Sequence, residues 1–119
     1  MILVTGASGF VGRNVVQALL AAGQDVRALV RDPKKGASLG CELAEGDLTD
    51  EASLRRAVDS VDAVIHLVAV RQGKEEKFQR VMVQGGRDLL DAAREAGVRR
   101  FVLSSALGAS EENKDLVPY

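Results

Sequence analysis

Apolar residues are arranged along this chain in two alternating rhythms. Short apolar runs at residues 2–4, 26–30, 62–68 and 100–104 predict strands buried on both faces, and residues 42–45 read as a further short strand. Between them, apolar positions recur at steps of three and four. Val11, Val15, Ala18, Leu19 and Ala22 predict one face of a helix over residues 10–22, with Gly23 as its stop. Thr49 or Asp50 caps a helix running to Asp59. Phe78, Val81, Gly85, Leu89, Ala92 and Ala96 mark a long helix ended by Gly97. The stretch after Val30, which contains Pro33, reads as a polar connection. Strands alternating with helices predict an α/β fold, a three-layer sandwich with a parallel sheet in the order 3-2-1-4-5 and right-handed crossovers.

The first strand runs into Thr5-Gly6-Ala7-Ser8-Gly9-Phe10-Val11-Gly12 and then into the first helix. A strand, a glycine-rich turn and a helix start aim the N–H groups of the first helical turn at one point, where the helix dipole adds positive charge. A pyrophosphate fits that point. Gly6 would permit the tight turn, Gly9 would let a diphosphate approach the backbone, and Gly12 would let the helix pack close on the strand. A glycine-rich turn can also be only a turn. The flanking strand and helix favour the dinucleotide reading.

The 119 residues form one domain, small for an enzyme that needs both a cofactor half and a substrate half. Sixteen basic and seventeen acidic residues give a net charge of −1 without a basic stripe, which speaks against nucleic acid and anionic membranes as partners. The apolar start is too short for a leader or a membrane span, so a cytoplasmic location is expected. Cys41, the single cysteine, has no internal disulfide partner, and with one histidine no zinc set exists; no metal is expected.

These motifs together resemble the amino-terminal part of an atypical or extended short-chain dehydrogenase/reductase, a group that includes sugar-nucleotide epimerases and dehydratases, NmrA-like proteins and relatives of a complex I accessory subunit. Thr5 to Gly12 is similar to the group's TGxxGxxG turn, Ala28-Leu29-Val30-Arg31-Asp32 to its second-strand tip, and Gly46-Asp47-Leu48-Thr49-Asp50 to its adenine-side segment. His66-Leu67-Val68-Ala69 is similar to its fourth-strand end and Phe101 to Ala106 to its fifth. The resemblance covers the whole chain. It implies a Rossmann-type fold cut off after the fifth strand, with a cofactor site from Gly6, Ser8, Gly9, Phe10, Val11, Gly12, Arg31, Asp47, Leu48, Leu67, Val68 and Ala69.

A guanidinium at position 31 can pair with the 2′-phosphate of NADP, where a carboxylate would repel it. NADP is therefore the expected cofactor, with NAD possible should Arg31 be a solvated charge and Asp32 take the ribose. Arg13 either assists at the phosphate or is a surface residue. The resemblance implies that Asp47 accepts a hydrogen bond from the adenine amino group with Leu48 over the ring; the alternative is a capping or turn aspartate before the following helix. His66 is read as a packing or backbone-bonded residue rather than a general base.

The resemblance implies a substrate-orienting Ser or Thr after the fifth strand and a Tyr and Lys four residues apart for proton transfer. Ser105 and Tyr119 are the candidate catalytic residues, although a shift of register would place Ala106 at the serine position. The lysine is absent, and Met82 stands where many extended members carry an asparagine. The chain is thus expected to be the cofactor half of an epimerase/dehydratase-like oxidoreductase, inactive alone. A non-catalytic NADP(H)-sensing or assembly module is the alternative. An uncovered apolar edge at the fifth strand predicts a homo-oligomer.

Overall fold

The computed structural model describes residues 1–68 and 76–105, the side chains of residues 68, 76–79, 81 and 105 apart. Five parallel strands, β1 (Ile2–Thr5), β2 (Val26–Val30), β3 (Glu42–Glu45), β4 (Ala63–Val68) and β5 (Arg100–Ser105), form one sheet in the order β3-β2-β1-β4-β5. Its centre is β1, whose Ile2 pairs with Val26 on one side and Ala63 on the other. Leu3, Val4, Ala28 and Val64 have no solvent exposure, as expected for strands covered on both faces.

Helix α1 (Phe10–Ala21) packs on one face with Val16, Val26, Ala28, Val30 and Leu39. Helices α3 (Glu51–Ala57) and α4 (Glu76–Glu95) cover the other, where Leu54, Ala57, Leu89, Ala92 and Ala93 enclose Leu3, Leu29 and Val64. The architecture is the predicted Rossmann-type α/β sandwich. Burying two layers of aliphatic side chains at ~25 cal/mol per Å2 of apolar surface is its main stabilising term.

Two details differ from the sequence reading. The stretch after Val30 is not a plain connection, because Asp32 caps a short helix α2 (Pro33–Gly36), followed by a tighter turn at Ala37–Leu39. Proline suits the first helical position, where no N–H is needed. The buried face of α1 is also rotated from the expected one. Val11 is 41% exposed and Ala18 and Ala22 lie at the surface, whereas Gly12 and Val16 are buried and Val15, Leu19 and Leu20 pack beside them. In α4, Gly85, Leu89 and Ala92 face inward as predicted; Phe78 and Val81 lie outside the described side chains.

Arg27 fastens the lower edge. Its Nη1 donates to the carbonyls of Ala57 and Asp59, each at 2.7 Å, and its Nε to the Glu42 carboxylate. One side chain thereby ties β2, β3 and the end of α3.

Candidate functional site

The carboxyl ends of the strands meet at the glycine-rich turn. Gly6 turns the chain out of β1 with φ +68°, in the left-handed region. A Cβ there would also lie 2.6 Å from the Leu67 carbonyl oxygen, so the position requires glycine and sets the turn against the end of β4. The Gly6 carbonyl accepts the Gly9 N–H at 3.3 Å. A Cβ on Gly12 would stand 2.0 Å from that carbonyl oxygen and 2.6 Å from Ala7 Cα. The first turn of α1 therefore rests on the glycine turn itself, not on the strand, and this contact rotates the helix.

Gly9 is different. Its φ is −78°, and an added Cβ would meet only the Gly6 oxygen, at 3.6 Å. Among the described residues nothing requires glycine here, and the space above it is open to a ligand. Gly9 caps α1 without a side chain, and the first turn carries no acidic residue. The first intrahelical bond is made by the Arg13 N–H to the Gly9 carbonyl at 2.9 Å, so the N–H groups of Phe10, Val11 and Gly12 precede it. Arg13 folds back over the turn, its Nε donating to the Ser8 carbonyl at 3.2 Å.

Beside the turn an open cleft of about 320 Å3 is lined by Ser8, Val30, Arg31, Asp32 and Lys35. It joins the turn to the tip of β2. The Asp32 carboxylate accepts the Lys34 N–H at 3.0 Å as the cap of α2, and this helix delivers Lys35 to the same cleft. Sequence reading missed Lys35; the signal was Asp32-Pro33, a cap followed by a first-turn proline.

At the end of β3, the Asp47 carboxylate accepts the Thr49 N–H at 3.0 Å, the turn-forming role weighed against an adenine contact. Asp50, one of two candidate caps, is the cap of α3, accepting the Ser53 N–H at 3.3 Å. Leu48 lies against α4 at Gly85, where a Cβ would come within 2.7 Å of the leucine Cβ.

His66 is 2% exposed, and burial lowers its pKa from 6.5 to about 4. Its Nδ1 shares a hydrogen bond with the Thr5 hydroxyl at 2.5 Å, a side-chain partner where plain packing or a backbone bond was expected. Leu67 is nearly buried beneath Gly6. Val68 and Ser105 are register partners at the ends of β4 and β5. Ala69, Ala106 and Tyr119 lie outside the described residues. Of the expected site, the structure thus brings together Gly6, Ser8, Gly9, Phe10, Val11, Gly12 and Arg31, with Asp47 and Leu48 at the next strand end. Among the described residues no group of His, Cys, Asp or Glu is placed to hold a metal ion.

Sterol demethylase protein B of Methylococcus capsulatus is 44% identical over 113 residues, covering 90% of this chain and 34% of the relative. A short-chain dehydrogenase/reductase superfamily protein from Agrobacterium tumefaciens, solved with bound NAD, has 43% identity and a TM-score of 0.77 over 96% of this chain and 35% of that one. The NADPH-dependent quinone oxidoreductase of Escherichia coli, solved with NADPH, has 28% identity and a TM-score of 0.73 over 87% and 36%. The chain spans about a third of the length of these proteins. The NmrA-like family profile matches residues 1–118, and with that match laid on a parallel 3-2-1-4-5 sheet and a glycine-rich turn, the chain belongs to the NmrA-like family.

Proposed function

We propose that this chain binds NADP(H) as the cofactor part of a reductase of the epimerase/dehydratase-like type. One observation carries the reading: the cleft beside the glycine turn has Arg31 and Lys35 in its wall against a single carboxylate among the described residues, Asp32, whose Oδ1 caps α2. Two cations suit a phosphate on the ribose. A guanidinium fork and an ammonium can share its oxygens. The diphosphate would lie over Gly9 against the N–H groups of Phe10, Val11 and Gly12, with Ser8 at the rim. Leu67, at the end of β4, would line the path toward the reacting end. The bound NADPH of the E. coli relative supports this reading, and the bound NAD of the A. tumefaciens relative keeps NAD as the competing cofactor.

Calorimetric titration with NADP and NAD tests it. Tighter binding of NADP, lost in Arg31→Ala, is expected; equal affinities in the wild type would refute the assignment.

A second reading, a sensing or assembly module without chemistry, is favoured by Met82 on α4, in the place where many extended members carry asparagine. In the reductase reading Ser105 and Tyr119 are the groups on which catalysis would depend. We also place the protein in the cytoplasm; among the described residues no helix is long and apolar enough to cross a membrane. Val102 and Leu103, successive residues on opposite faces of the edge strand β5, are both exposed, and a second copy of the chain would cover them.

A further inference from the structure

Ser53, the third residue of α3, is 1% exposed and makes no approach to the cleft, yet it organises the segment that ends β3. The Asp47 N–H donates to Ser53 Oγ at 3.0 Å. That hydroxyl has the Asp50 carbonyl at 2.7 Å and the Asp47 carbonyl at 3.2 Å as acceptors for its own proton. The fit around it is tight. A Cβ on Gly46 would come within 2.7 Å of Ser53 Oγ and 2.9 Å of Leu29 Cδ1, so the backbone before Asp47 passes directly over the serine. From the other side, Leu48 is seated on the bare backbone of Gly85. The Asp47 N–H and one carboxylate oxygen, Oδ1, are both committed within the turn. Among the described residues none donates to Oδ2, which is therefore the oxygen available to a ligand.

We propose that Ser53 is a positioning residue, which fixes the Asp47 backbone from behind so that Oδ2 meets the exocyclic amino group of a bound purine, with Leu48 held beside it by Gly85. This rests on the dinucleotide reading above and on Asp47 as the expected adenine contact, and deepens them by naming the residue that holds that contact in place without itself touching the cleft. Without the Ser53 hydroxyl, the Asp47 N–H loses its acceptor and the turn is free to rotate. The carboxylate would then no longer stand in one place.

The test compares NADP with its hypoxanthine analogue, in which a carbonyl oxygen replaces the amino group and would face the carboxylate. Calorimetry on the full chain should show the wild type preferring NADP by about ten-fold, the scale of one charge-assisted hydrogen bond. In Ser53→Ala that ratio should fall below about three-fold while circular dichroism remains native. Mere loss of stability would weaken both ligands and leave the ratio unchanged. Should Ser53→Ala not fold, the near-isosteric Ser53→Cys, a poor acceptor, is read in the same way. A folded variant with the wild-type ratio overturns the proposal, as does a wild type that binds both dinucleotides equally. A wild type that binds neither overturns the dinucleotide reading on which the proposal rests.

Discussion

Thr5 and His66 are register partners on adjacent strands, and their side chains share a 2.5 Å hydrogen bond in the interior, immediately before the glycine turn. Burial holds the imidazole neutral, with a pKa of about 4 instead of 6.5. The unfolded chain therefore takes up a proton that the native one resists, and stability falls as the pH drops from about 6.5 toward 4. At ~1.36 kcal/mol per unit, as much as about 3 kcal/mol is involved. Urea midpoints at pH 7, 5.5 and 4 should decline in the wild type. They should decline less in Thr5→Val/His66→Leu, which removes both partners together. Parallel declines would show that other groups account for the acid sensitivity.

The three glycines of the turn should separate cleanly on substitution. Gly12→Ala places a methyl 2.0 Å from the Gly6 oxygen and should cost on the order of 3 kcal/mol or more, measured by thermal melting. Gly9→Val meets no such obstacle and should keep its circular dichroism and melting temperature while losing dinucleotide affinity. Undiminished binding by Gly9→Val would remove the phosphate-turn assignment.

Asp32→Ala distinguishes the two roles open to that carboxylate. As the cap of α2 it should contribute about 1 kcal/mol to stability, with the NADP-to-NAD affinity ratio nearly unchanged. A selective drop in NAD affinity would instead identify Asp32 as a ribose ligand. Lys35→Ala, by contrast, should lower NADP affinity several-fold and leave NAD alone, because only the former carries the extra phosphate.

Light scattering should return a dimer or larger species rather than a 12.6 kDa monomer at micromolar to millimolar concentration. Val102→Lys/Leu103→Lys on the β5 edge should shift it to the monomer.

Most strand positions were legible in the sequence because buried parallel strands are short apolar runs, and the order followed from their alternation with helices. The orientation of α1 was not. Val11 and Ala18 fit a helical stripe as well as Val16 does, and only the contact between Gly12 and the Gly6 carbonyl decides which side turns inward. Lys35 and Ser53 escaped for a related reason. Each matters through a short local structure, the cap at Asp32 or the turn at Asp47, that brings it near residues several positions away. Gly6, Gly9 and Arg31 could be singled out because their chemistry is tied to a strand end.

The position of β1 at the centre of the sheet also governs when the molecule can form. One of its neighbours, β2, follows closely in the chain, but the other, β4, pairs Thr5 with His66, 61 residues later. At a ribosomal rate of ~5–20 residues per second, about 3 to 12 seconds separate the synthesis of these partners. Throughout that interval one edge of β1, and with it the underside of the glycine turn, lacks its strand. The footing of the glycine turn is therefore a late product of translation, completed only when the fourth strand slots in beside the first.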